Sequence, residues 1–339
     1  MSAYDRIIGH ENIIAQLKNA ITNNKVNHAY IFDGDDGSGK KMVAKAFAEA
    51  LLCEKGGAEG CGQCHFCKQT ESGNNPDLIW VRHEKPGSIG VDDVRTGLVE
   101  DIQIKPYNGR YKVYIIDEAE KMTVQAQNAI LKTIEEPPAY SVIIFLTNND
   151  EIFLPTIISR CIIFKFRPLR DSVVADYLMR EHKLPEYEAR MCASYAQGKI
   201  GRAVSLVESD VFDKIRDEAL KIAKNIHTYS NPDILDAVKR AGEYKDDIKD
   251  YIDVIEMWFR DVLLFKVTKD ANNLVFMDDI NYIRKQASKS SYEGLENILR
   301  GCETATQRLD AMEKAKSRLS ANVNFDLAIE LMLLNIKEN

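Results

Sequence analysis

The stretch that most constrains this chain runs from residue 29 to residue 41, Ala-Tyr-Ile-Phe-Asp-Gly-Asp-Asp-Gly-Ser-Gly-Lys-Lys, where a short apolar run breaks into glycines and then enters a helical pattern. Gly34, Gly39 and Lys40 fit the spacing G-x-x-x-x-G-K, with Gly37 inside the loop. Glycines at this spacing let backbone N–H groups turn inward while the lysine reaches terminal phosphates, so the stretch reads as strand, phosphate cradle and helix. A chance glycine-rich turn is the alternative, against which strand, loop and helix come here in the required order. The next position departs from the pattern. A working nucleotidase places a Ser or Thr hydroxyl there to hold magnesium, and this sequence has Lys41. On one reading its ammonium takes part of the metal's space and pairs with Asp117. At about 4 Å and an effective dielectric near 20 such an attraction is on the order of 4 kcal/mol before desolvation. On the other, Lys41 swings into solvent on its flexible stem and leaves a weakened but usable site.

A chain of 339 residues, 45% of them hydrophobic, is long enough for two or three domains with sizeable cores. The net charge of −7 argues against a broad basic face that binds nucleic acid unaided, so any DNA contact is expected to be local or shared. The first residues lack a basic start followed by an apolar stretch, and no run is long enough to span a bilayer, which predicts a cytoplasmic protein with no membrane partner. Seven cysteines are an odd number, and four of them crowd into residues 53–67. In a cytosolic chain that favours metal over disulfides.

Apolar periodicity predicts an amphipathic helix within residues 2–23, a buried strand at 29–32 and a helix at 41–52 with Val43, Ala46, Phe47, Ala50 and Leu51 on one face. Met42 and Phe47 read as core residues within that pattern. Next come Cys53, Cys61, Cys64 and Cys67, spaced C-x7-C-x2-C-x2-C among glycines that supply turns. Four thiolates at such gaps suit one tetrahedral Zn2+ at about 2.3 Å, and a site with four protein ligands leaves no place for water, so the expected role is structural. Unrelated reduced thiols, or His65 as a substitute ligand, are the alternatives.

Strands are predicted at 78–81, 113–116, 142–146 and 162–166, and helices at 91–99 and from Thr123 to Glu136, where Pro137-Pro138 stops the second. The run Val113-Tyr-Ile-Ile116 ends in Asp117-Glu118, as a central parallel strand does when its C-terminal end faces a ligand. Beside a phosphate loop such acids orient the magnesium shell and polarise the attacking water, whereas alone they also suit helix capping. Asn148 lies just past the fourth strand, where an amide can touch a γ-phosphate. The pattern is α/β with a parallel five-stranded sheet, and no strand pattern follows residue 166.

The loop at Gly34–Lys41, the Ile115-Ile-Asp-Glu118 edge, the Asn128-Ala-Ile-Leu-Lys-Thr-Ile-Glu-Glu-Pro-Pro138 stretch, Ser159-Arg160-Cys161 and the four-cysteine insert together resemble bacterial clamp-loader AAA+ subunits of DNA polymerase III. The resemblance is densest over residues 1–208, and within the family it is to the delta-prime type, because Lys41 spoils the magnesium site. It implies an AAA+ P-loop domain at 1–166, a small helical lid at 167–208 and an all-α collar at 209–339. It implies a hetero-pentamer with gamma/tau ATPase and delta subunits, acting on a sliding clamp and primed DNA. Arg160 then corresponds to an arginine finger supplied in trans to a neighbour's nucleotide, and Arg202, in Gly198-Lys-Ile-Gly201-Arg202, to a second sensor that approaches phosphate from the lid. Arg160 paired with a nearby carboxylate is the alternative, as is Arg202 paired with acids of the first domain. The chain is expected to hold ATP weakly or not at all. Two other readings are an active motor subunit in which Lys41 is tolerated, and a zinc-stabilised scaffold outside replication.

In residues 209–339, Tyr251, Ile252, Ile255, Trp258, Phe259, Val262 and Leu263 define one apolar helix face. It reads as an oligomer-forming surface, with an ordinary helical core as the alternative. Cys192 and Cys302 read as buried small apolar residues.

Overall fold

The computed structural model describes residues 3–81, 87–107, 109–209, 211–272, 274–316 and 325–338. By backbone packing the chain divides into two units, residues 1–177 with 197–202, and residues 178–196 with 203–339. Residues 167–208, expected as one small domain, are therefore shared between the two.

The first unit is built on a parallel sheet. Its strands are β1 (Ala29–Asp33), β2 (Leu78–Val81), β3 (Lys112–Ile116), β4 (Ser141–Thr147) and β5 (Ile162–Lys165), in the order β2-β3-β4-β1-β5. Every neighbouring pair is parallel, with Ala29 opposite Ile143, Tyr30 opposite Ile162 and Val113 opposite both Leu78 and Val142. Strands covered on both faces need apolar residues at every position, which is why β1, β3 and β4 read as continuous runs. Alternate side chains go to opposite faces. Tyr30, Phe32, Val113, Ile115, Val142 and Ile144 pack on one side with helices α1 (Glu11–Thr22) and α2 (Lys40–Leu52). Ile31, Tyr114, Ile116, Ile143 and Phe145 pack on the other.

Between α2 and β2 lies α3 (His65–Ser72), which carries the cysteine insert. The helix expected at 91–99 is α4 (Val91–Val94) running directly into a π turn (Arg95–Val99). Next comes α5 (Val124–Glu135), capped by the Thr123 hydroxyl accepting from the Ala126 N–H at 3.1 Å, and then the short α6 (Pro155–Ile158). Met42 departs from expectation, for it is 48% exposed while Phe47 is fully buried. The helical period turns Val43, Phe47 and Leu51 onto the sheet, which places Met42 on the outer face of α2 beside Lys41 and Lys45.

The remaining helices are α7 (Asp171–Glu181), α8 (Glu186–Ala196), α9 (Ile200–Glu208), α10 (Phe212–Asn225), α11 (Asn231–Gly242), α12 (Ile248–Thr268), α13 (Ile280–Lys289), α14 (Tyr292–Lys316) and α15 (Phe325–Glu338). The second unit holds no strand among the described residues. Its centre is α12, whose Tyr251, Ile252, Ile255, Trp258, Phe259 and Val262 are all fully buried. The apolar face expected to form oligomers is thus spent inside the unit's own core, and only Leu263 of that set is partly exposed. The Trp258 indole donates to Gln286 Oε1 at 2.6 Å, and the Gln286 amide donates to the Ala223 carbonyl at 2.8 Å. Asp261, with no exposed surface, accepts from the backbone N–H groups of Val275 and Phe276 at 2.7 and 2.9 Å, while burial pushes its carboxyl pKa up. Cys192 and Cys302 are buried as expected, and burial raises both thiols, Cys192 to about 11. No helix among the described residues is long and apolar enough to cross a membrane.

Candidate functional site: a phosphate loop, a four-cysteine knuckle and an exposed arginine

Because the strands are parallel, Asp33, Asp117 and Asn148 follow or end β1, β3 and β4 at one edge of the sheet, and the phosphate loop leaves β1 at that edge. Gly37 and Gly39 adopt left-handed backbone conformations (φ 77° and 94°) that other residues take up only with strain. Gly34 is needed for a different reason, since a Cβ there would lie 2.6 Å from the Phe166 carbonyl oxygen. Lys40 is nearly buried and turns back on its own loop, donating to the Gly34 carbonyl and, at 3.3 Å, to that of Asp35. The His10 ring lies 2.8 Å from the Ser38 carbonyl through Nε2 and packs against Phe166.

Lys41 Nζ lies 2.5 Å from Asp117 Oδ2 and 5.3 Å from the centre of the Trp80 ring. This is the pairing expected from position 41, but its weight is less than expected. The lysine side chain is 65% exposed, and an exposed pair contributes about 0–1 kcal/mol rather than the figure for a shielded one. Glu118 sits in the left-handed region (φ 50°) and pairs with Lys121 at 2.8 Å. A 3-10 turn (Ala119–Lys121) follows these acids without a side-chain cap, α5 is capped by Thr123, and Asp117 Oδ1 accepts from the Glu118 N–H at 3.2 Å. The Asn148 backbone N–H is 3.4 Å from Glu120 Oε2, and its exposed side chain stands near the same edge.

Two acids inside the loop itself bear on the site and escaped attention in the sequence. Asp36 lies 3.8 Å from Lys40, and Asp35 pairs with Lys199 at 3.0 Å. Carboxylates within a phosphate cradle oppose anion binding, and the signal was legible as Asp-Asp between the glycines. The Lys199 segment is held against the loop by Gly201 N–H donating to the Gly37 carbonyl at 2.8 Å. Arg202 follows at once, its backbone nitrogen 3.0 Å from where a Cβ on Gly37 would stand. The structure thus brings Gly34, Gly37, Gly39, Lys40, Lys41 and Arg202 into one neighbourhood, with Asp117 reaching it through Lys41.

The sulfurs of Cys53, Cys61, Cys64 and Cys67 form a second constellation, all within 4.8 Å of one another. Sulfurs about 2.3 Å from one tetrahedral ion stand about 3.8 Å apart. The separations of 4.0 Å (Cys53–Cys64), 3.8 Å (Cys61–Cys67) and 3.4 Å (Cys64–Cys67) bracket that value, so the residues fit a four-thiolate metal. The Cys64 N–H donates to Cys61 Sγ at 3.3 Å and the Cys67 N–H to Cys64 Sγ at 3.4 Å, the turns that two-residue gaps permit. Backbone donors at Gln63 and Cys64 pull the Cys61 thiol down to about 6, whereas burial pushes those of Cys53 and Cys67 up. His65 heads α3 and is not part of the cluster.

Arg160 lies apart from both. It follows α6 and precedes β5, so it stands at the edge of the sheet where strands begin, across the length of β1 from the phosphate loop. Five residues of strand put roughly 13 Å between those edges. Its Nη2 pairs with Glu135 Oε1 at 3.0 Å, and Nη1 donates to the Thr156 carbonyl at 2.9 Å and to Ser159 Oγ at 3.3 Å. The carboxylate partner held open as the alternative is therefore present. The Arg160 side chain is partly exposed, at 37%, and that of Glu135 is 45% exposed.

Residues 9–170, which contain the loop, the cysteines and Arg160, match the family described as DNA polymerase III, delta subunit. The delta' subunit of DNA polymerase III from Bacillus subtilis is 29% identical over 330 residues, covering 96% of this chain and 95% of that protein. The tau subunit from the same organism is 31% identical over 285 residues, 78% of this chain, and this chain spans half of its length. The Haemophilus influenzae tau/gamma subunit is 36% identical over 60% of this chain and 30% of its own. A gamma subunit-related protein from Thermotoga maritima aligns in structure over 96% of this chain and 98% of its own, with 20% identity and a TM-score of 0.43. With an α/β parallel-sheet unit, a glycine-rich loop at its edge, residues 9–170 matched by the delta-subunit model and relatives among the delta', tau and gamma subunits, the chain is similar to subunits of DNA polymerase III.

Proposed function

We propose that this chain is a delta-prime-type stator of the clamp loader, which hydrolyses little or no ATP itself and supplies Arg160 in trans to the nucleotide held by a neighbouring gamma/tau subunit. In this role it works in a hetero-pentamer with gamma/tau and delta to load the sliding clamp onto primed DNA. The observation that carries the reading is the place of Arg160, partly exposed at the sheet edge opposite its own phosphate loop and so suited to serve a site on another chain. A guanidinium there meets negative charge developing on the transferred phosphoryl group, and its planar fork does so in a way a lysine does not. Lys41, Asp35 and Asp36 weaken the chain's own cradle. The four cysteines hold a structural Zn2+ in this account, and a functional division into a P-loop part at 1–166, a lid at 167–208 and a collar at 209–339 goes with it, the lid residues being shared between the two packing units.

The test is Arg160→Ala in a complex reconstituted with gamma/tau and delta. Assembly should survive, while clamp- and DNA-stimulated ATP hydrolysis at the site Arg160 serves falls by about 10³-fold or more, with Arg160→Lys rescuing poorly. Unaltered hydrolysis and clamp loading would sink the trans role. The relatives of tau and gamma type favour a second reading, an active motor subunit, and measurable turnover by the isolated chain would support it.

A further inference from the structure

Glu135 is the last residue of α5, and the prolines that follow stop the helix there. Its helix is anchored by Ile130 and Ile134, which are buried against the sheet, and α6, just before Arg160, is anchored by the buried Ile157. Two rigid elements thus bring the Glu135 carboxylate to 3.0 Å from Arg160 Nη2, while the Thr156 carbonyl and Ser159 Oγ receive Nη1. A guanidinium presents five N–H donors on three nitrogens. These contacts engage Nη1 and Nη2, none of them engages Nε, and the side chain is 37% exposed. The arginine is held on one side and open on the other.

Resting on the reading of Arg160 as a trans finger, we infer that Glu135 is a positioning residue for that finger, fixing the guanidinium before a neighbour's phosphate arrives. Its charge is not what the reaction uses, because a carboxylate beside the fork offsets part of the positive charge offered to phosphate. What it contributes is an acceptor in a fixed place. A free arginine samples many rotamers, and ordering it at each encounter raises the barrier of the step it assists. Glutamine keeps an oxygen acceptor at the same reach, whereas alanine removes it.

The test uses Glu135→Ala, Glu135→Gln, Arg160→Ala and the Glu135→Ala/Arg160→Ala double variant in the reconstituted complex, with ATP, clamp and primed DNA. Glu135→Ala should lower kcat for hydrolysis roughly tenfold with KM for ATP little changed, and Glu135→Gln should restore most of it. On the Arg160→Ala background Glu135→Ala should cost nothing further, since it acts through that side chain. Full activity of Glu135→Ala beside a loss in Arg160→Ala overturns the positioning role and leaves the finger standing. A loss that adds on the Arg160→Ala background, or one that glutamine does not repair, also overturns it. No loss in Arg160→Ala itself removes the finger reading on which this one rests.

Discussion

Lys41 shows how one side chain can change what an inherited loop does. The glycines and Lys40 still shape a cradle, yet the position that should present a hydroxyl presents an ammonium 2.5 Å from Asp117. On the proposed reading the pair weakens the metal's place by occupying it and not by a deep electrostatic well, because that lysine is 65% exposed. Replacement by threonine restores a magnesium ligand and releases Asp117. Lys41→Thr should therefore tighten magnesium-dependent nucleotide binding by tenfold or more, read with a fluorescent nucleotide titrated with and without the metal. If the unaltered protein already binds Mg-ATP tightly and the variant does no better, occupation of the metal's place by the ammonium is wrong. The substitution was legible at once, because the pattern around it is rigid in spacing. Glu135 was not, although Glu-Glu-Pro-Pro stood in plain view, since nothing local ties it to an arginine 25 positions later.

At the scale of elements, the cysteine insert has little apolar core of its own beyond Phe66 and the sulfurs themselves. Metal binding to such a segment is coupled to its folding. Protein prepared without chelator should carry about one zinc per chain. Cys67→Ser should release it and lower the Tm of the first unit, residues 1–177 with 197–202, by roughly 5–8 °C, the equivalent of about 2–3 kcal/mol at that size. Metal analysis finding no zinc in the unaltered protein would end that account. The strands and this knuckle were readable because their signals are local, as continuous apolar runs and two-residue gaps. Met42 was misread for the same reason, for a helical period identifies an apolar stripe but not how far around the helix the sheet reaches.

Across the whole molecule, the second unit depends on α12, and Trp258 is its largest fully buried side chain. Trp258→Ala removes that volume and leaves the Gln286 oxygen without its donor, so unfolding should come about 3–5 kcal/mol earlier, read by far-UV circular dichroism in urea. Trp258→Phe, which keeps most of the volume, should cost less. A variant as stable as the original would mean that the helix is not central to the unit. The sequence alone determined the order of strands and helices along the chain, the cradle, its altered metal position and the four-sulfur set, because each rests on contacts between residues near in number or on a repeating period. Tertiary structure alone decided that the α12 stripe is core, that Asp35 meets Lys199, and that Arg160 rests against Glu135 at the edge away from the phosphate loop. Those pairings join residues far apart in the chain, and they follow from which strand lies beside which, a choice made by the packing of the whole sheet rather than by any one stretch.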